Sequence, residues 1–129
     1  MQMGRSSIGS LRQIPMDSRP SCGEIWYADL NPVRGHEQAG RRPVLIVSHD
    51  RFNHSRAGLV YFIPLTSQAK GIPYHVPILP PEGGVTVQSY IMCEHARSGT
   101  TERLLQRWGV VSPQTMAQVE DRLRILLNL

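Results

Sequence analysis

The side chains with most scope for chemistry crowd into one segment, Asn31 to Arg42. Arg34, His36, Glu37, Gln38, Arg41 and Arg42 fall there together with Gly35 and Gly40. An imidazole titrates near neutral pH and can relay protons, while planar guanidinium forks match phosphate oxygens. A loop longer than the usual few residues tends to be functional or disordered. The glycines give this one backbone freedom. Pro43 holds Arg42 in an extended backbone, which limits the directions its side chain can take. Taken alone, the segment reads more economically as a solvated turn with incidental charges.

Other chemistries have less support. Two cysteines, Cys22 and Cys93, are too few for a disulfide framework or a four-cysteine zinc site. A single bridge between them competes with two reduced thiols, the favoured reading for a cytoplasmic chain. The five histidines show no H-E-x-x-H grouping and no C-x-x-C is present, so no metal or other cofactor is expected. The net charge is +4, and Lys70 is the single lysine among 14 basic residues. An arginine-dominated basic surface with eight aromatic residues is compatible with nucleic acid. On charge alone that signal is weak, since solubility explains it equally well.

The elements that must position these groups are short. Residues 1–22 are rich in Ser, Arg, Gly and Pro and read as a flexible basic N-terminal extension, with Met16 an alternative start. From Gly23 onward, strand-like runs follow: Glu24–Leu30, Pro43–Ser48, Leu59–Leu65, Tyr74–Leu79, Val85–Cys93 and Leu104–Val111. Pro77 places its run at an edge, and Pro80-Pro81-Glu82-Gly83-Gly84 is a turn. Ser112 and Pro113 then start a helix as N-cap and first residue. Met116, Val119, Leu123 and Leu126 give it one apolar face. Among the aromatics, Trp26, Tyr61 and Trp108 are expected in the core, Phe52 and Tyr74 as stacking platforms. With 129 residues the chain fits one domain, and no stretch approaches the roughly 20 apolar residues of a membrane span. A small barrel or sandwich carrying one terminal helix is the expected architecture, in a cytoplasmic protein.

Gly35-His36-Glu37-Gln38-x-Gly40-x-Arg42-Pro43 with the following run Val44 to Ser48, and upstream Gly23-Glu24-Ile25-Trp26, resemble blocks of the MazF/PemK (Kid) toxins. Ile63-Pro64-Leu65-Thr66-Ser67, Gln68-Ala69-Lys70-Gly71-x-Pro73, Cys93-Glu94-His95-x-Arg97-Ser98 and Val110-Val111-Ser112-Pro113 continue the likeness in order. It covers residues 23–129, and so many blocks are more specific than any one motif. The resemblance implies a mainly β fold, a small SH3-like, partly open barrel of the CcdB/PemK type with a C-terminal helix. It also implies metal-independent, sequence-selective cleavage of single-stranded RNA. In that reaction the RNA's own 2′-OH attacks the adjacent phosphate, leaving a 2′,3′-cyclic phosphate and a 5′-OH. A homodimer and an antitoxin with an acidic, flexible tail complete the expectation.

By the same resemblance Arg42 and Thr66 match the catalytic pair that handles the phosphate. Glu94 and His36 match the proton-transfer groups, although Met92 stands where Kid-like members carry Arg. Glu94 pairing structurally with Arg97 is an equal alternative to its acting as the base. Arg34, Glu37, Gln38, Arg41, Phe52, Ser67, Lys70, Tyr74, His95 and Arg97 are the expected RNA contacts. Two other readings share the fold. A CcdB-like gyrase poison relies on an aromatic C-terminus, whereas this chain ends in Leu127-Asn128-Leu129; a catalytically silent RNA-binding relative is the other.

Overall fold

The computed structural model describes residues 19–31 and 40–129. Seven strands form one antiparallel sheet: β1 (Glu24–Asp29), β2 (Arg41–Ile46), β3 (Leu59–Thr66), β4 (His75–Ile78), β5 (Ser89–Met92), β6 (Arg97–Thr100) and β7 (Leu104–Val110). Their order is β4-β5-β3-β2-β1-β7, with β6 also on β3. The sheet does not close, so the architecture is a partly open barrel. A short helix α1 (Asp50–Asn53) and a long helix α2 (Pro113–Leu127) complete it.

Side-chain alternation along the strands builds two cores, because successive residues point to opposite faces. Ile25, Leu45, Ile63 and Leu65 join one cluster with Ile91 and the helix residue Val119. Trp26, Val44, Ile46, Val60 and Phe62 form the other. Strand β3 serves both by changing partners. Leu59–Phe62 pairs with β6, whereas Leu65–Thr66 pairs with β5. Pro64, which has no N–H to give a ladder, sits where the partner changes.

Helix α2 begins as its sequence directs. The Ser112 hydroxyl accepts from the Thr115 amide at 3.1 Å, and Asn128 ends the helix in the left-handed region at φ 59°. Met116, Leu123 and Leu126 pack against the first core. Strand β4 is an edge strand, as Pro77 requires.

Four features differ from the sequence expectation. The 85–93 run is a strand only from Ser89, because Gly83 and Gly84 turn the chain at φ 64° and 80° and Val85 enters the core outside any ladder. Strand β6 and helix α1 lack local periodicity; β6 forms through pairing with β3, and α1 is capped by the adjacent His49, whose ring accepts from the Phe52 amide. Residues 19–22 pack with the fold before Gly23: Pro20 is buried, its carbonyl lies 2.7 Å from His54 Nε2, and the Cys22 amide donates to Asp50 at 2.7 Å. Tyr61, expected inside, is 51% exposed, because its neighbours Val60 and Phe62 take the inward positions of an alternating strand. Cys22 and Cys93 are both free thiols.

Candidate active site

Arg42 and Thr66 come from opposite ends of the sequence's strand pair β2–β3. The register pairs Val44 with Pro64. Carried two residues further along each strand, it sets Arg42 opposite Thr66, on one face of the ladder. The guanidinium confirms the approach: Arg42 Nη1 donates to the Leu65 carbonyl at 3.1 Å. Thr66 ends β3, and its hydroxyl accepts from the Gln68 amide at 3.2 Å, which turns the chain sharply after the strand.

Both side chains line a cavity of about 350 Å³. Arg41, Ser67 and Gln68 contribute polar groups to the lining, which Val85, Thr86, Val87 and Trp108 share. Burial pushes the Arg42 guanidinium below the usual arginine value. It stays protonated at neutral pH, since arginine starts so high. A cation in such a partly dry pocket acts on an anion more strongly than one in bulk water. A guanidinium also carries five N–H donors, so anchoring to a carbonyl and binding a phosphate are compatible.

The remaining expected site residues distribute differently. Ser67 and Arg41 are in the cavity lining, with Arg41 3.7 Å from Asp29. Lys70 is exposed nearby in sequence but does not line it. Glu94 lies elsewhere: its Oε2 is 2.7 Å from Nε2 of buried His75 and 3.8 Å from His95. It lines a separate apolar groove with Val47, Tyr61, Leu123 and Leu126. Arg97 stacks over the Phe62 ring at 5.4 Å, and Glu94 takes His75 rather than Arg97 as its short contact. Phe52 packs tilted on Tyr61, and Tyr74 packs against the first core. Met92 is buried in β5, opposite His75 in the ladder. Arg34, His36, Glu37 and Gln38 lie outside the described residues.

The fold makes prominent two residues that sequence reasoning placed in no site. His75 carries no motif, and only the β4–β5 pairing with the turn at Cys93–His95 brings it to Glu94. Trp108, expected in the core, packs against the first core cluster and also lines the Arg42–Thr66 cavity. Among the described residues no cluster of three His, Cys, Asp or Glu side chains could hold a metal ion, and no helix is long and apolar enough to cross a membrane.

Comparison with known proteins agrees with this fold. Residues 21–127 match the family model described as PemK-like, MazF-like toxin of type II toxin-antitoxin system. The chain is 38% identical to endoribonuclease MazF9 of Mycobacterium tuberculosis, over 83% of this chain and 95% of that protein. A crystal structure of MazF from Deinococcus radiodurans superposes with a TM-score of 0.77 at 31% identity, covering 86% of this chain and 98% of that one. A MazE–MazF structure from the same organism follows at 0.71 and 27% identity, covering 86% and 97%. Fold and sequence agree over most of the chain, and the protein belongs to the MazF/PemK toxins of type II toxin–antitoxin systems.

Proposed function

We propose that this toxin is an endoribonuclease that cuts single-stranded RNA without a metal, through attack of the RNA's own 2′-OH on the neighbouring phosphate. The observation that carries this reading is the meeting of Arg42 and Thr66 in one cavity, with the guanidinium anchored on the Leu65 carbonyl. A reaction whose nucleophile belongs to the substrate needs donors around the phosphate more than a protein nucleophile. Arg42 stabilises charge on the phosphate oxygens, and Thr66 donates to the same group. Products carry 2′,3′-cyclic phosphate and 5′-OH ends. Incubating the purified chain with mixed RNA in excess chelator tests this. Site-specific cuts with 5′-OH termini support it, and intact RNA refutes it.

The resemblance implies proton transfer by Glu94, with His36 assisting. A specific observation favours a second reading of Glu94. Its carboxylate is held 2.7 Å from His75 and is absent from the lining of the Arg42 cavity, which suits a residue that fixes the β4–β5 edge. The pH dependence of the rate in Glu94→Gln decides: a flattened acid limb supports the base, an unchanged profile the structural role.

The partners follow the same reading. MazF of Deinococcus radiodurans is found with MazE, and a cognate antitoxin with an acidic, flexible tail suits the arginines around this cavity. A second copy of the chain covers the apolar groove beside Glu94, where Tyr61 and Leu127 are 51% and 63% exposed and Leu123 and Leu126 line the floor. A domain of this size buries comparatively little of its own surface, so pairing adds burial. Sedimentation of the purified chain should give a dimer, and Leu126→Glu a monomer; a monomeric wild type overturns the pairing.

A further inference from the structure

Trp108 occupies an irregular place in the sheet. Ile25 is opposite Gly109 and Trp26 is opposite Arg107, so Trp108 is the extra residue of a β-bulge in β7. Bulges re-aim a side chain that regular alternation would fix, and they recur beside functional sites. Here the indole stacks on Tyr27 with ring centroids 5.5 Å apart and planes within 4°. The backbone of the bulge also lies close against Gly84, where a Cβ would meet the Trp108 carbonyl at 2.5 Å. The indole, half-buried, still forms a wall of the cavity that holds Arg42 and Thr66.

We infer that Trp108 is the stacking wall of a nucleobase subsite, receiving the base attached to the nucleotide whose phosphate Arg42 and Thr66 bind. The inference rests on the endoribonuclease reading for the identity of that phosphate. An aromatic face suits any base, and the Tyr27 stack holds the ring in place before binding, so little side-chain freedom is lost on association. Gln68, Thr86 and Ser89 line the same cavity and supply donors and acceptors for a base edge. The arginines hold the backbone, while Trp108 distinguishes a nucleotide from a bare sugar–phosphate.

The probes are a mixed-sequence 2′-O-methyl RNA oligonucleotide, which lacks the attacking hydroxyl, and an abasic 2′-O-methyl backbone of the same length. The mixed-sequence probe should quench tryptophan emission, with the change coming from Trp108 because Trp26 is only 7% exposed. Trp108→Leu should bind it about 10- to 100-fold more weakly, and Trp108→Phe should recover most of the loss. Both variants should bind the abasic backbone like wild type. On cleavable RNA, Trp108→Leu should raise KM more than it lowers kcat. Equal binding by wild type and Trp108→Leu overturns the subsite, as does equal weakening toward both probes. The two readings fail separately. Base-dependent quenching without cleavage keeps the subsite and removes the reaction, whereas cleavage with a Trp108→Leu variant of normal KM does the reverse.

Discussion

Arg42 is tied to Leu65 by a 3.1 Å hydrogen bond from its guanidinium to the carbonyl one residue before Thr66. That bond spans strands β2 and β3, and it holds the cation beside the cavity that the strand-end hydroxyl of Thr66 also lines. A flexible surface arginine would have to be ordered by substrate. This one is ordered by the fold, and preorganised donors contribute most to transition-state stabilisation.

Replacing Arg42 with Lys should therefore lower kcat by about 100- to 1,000-fold, the usual effect of losing one oriented donor. A lysine keeps the charge but not the fork that reaches the carbonyl and the phosphate together. Thr66→Val, near in shape, should lower kcat as well. Thermal unfolding of both variants should stay close to wild type; a folded Arg42→Lys protein with normal turnover would remove Arg42 from the mechanism.

The turn at Gly83–Gly84 should tolerate no side chain. A Cβ on Gly83 would come within 2.5 Å of Ile25 Cδ1, and on Gly84 within 2.5 Å of the Trp108 carbonyl. Both glycines also have positive φ, which L side chains adopt at a penalty. Gly84→Ala is the more severe case, because backbone rather than a flexible side-chain end must move. It should destabilise the protein by about 1–3 kcal/mol, read from denaturant midpoints, and weaken RNA binding through the displaced bulge.

Glu82 should make stability depend on acid pH. Burial raises the pKa of its carboxyl, but hydrogen bonds from the Ser112 amide and from the Thr115 and Ser112 hydroxyls outweigh that and leave it below the ordinary value. The Ser112 amide donates at 2.9 Å and the Thr115 hydroxyl at 2.5 Å. A lowered folded-state pKa gives stabilisation that is full above the unfolded value, about 4.3, and disappears as pH falls through the folded value. Glu82→Gln should thus unfold about 1 kcal/mol more easily at pH 7, and the gap should narrow below about pH 4. A gap constant down to pH 3 would show that the charge of Glu82 contributes nothing to the cap.

The two thiols should differ in reactivity. Cys93 is buried, and burial with the adjacent Glu94 charge pushes it up to about 12. Cys22 is exposed, although partial burial of its sulfur and the charges of Asp50 and Glu120 raise it too. The thiolate is the reactive form. Iodoacetamide at pH 8 should modify Cys22 slowly and leave Cys93 untouched until denaturant unfolds the chain. Mass spectrometry of the peptides separates the two outcomes, and equal labelling in the native protein would contradict the burial of Cys93.

The sequence by itself determined six of the seven strands and the terminal helix with its cap. Those features rest on local rules: alternation along β1 to β3, Ser112 and Pro113 at a helix start, Pro77 at an edge. Family order in the sequence also put Arg42 and Thr66 in one expectation, and register shows why they meet. Tertiary structure decided the rest, because it depends on pairings between residues far apart in the chain. One extra residue in β7 places Trp108 so that it lines the cavity as well as packing against the first core, an arrangement that no local pattern encodes. The pairing of β4 with β5 gave Glu94 a buried histidine as its partner, and β6 carried Arg97 onto Phe62. Side-chain type is local, but the direction a side chain faces is set by register, and register is fixed only when the sheet assembles.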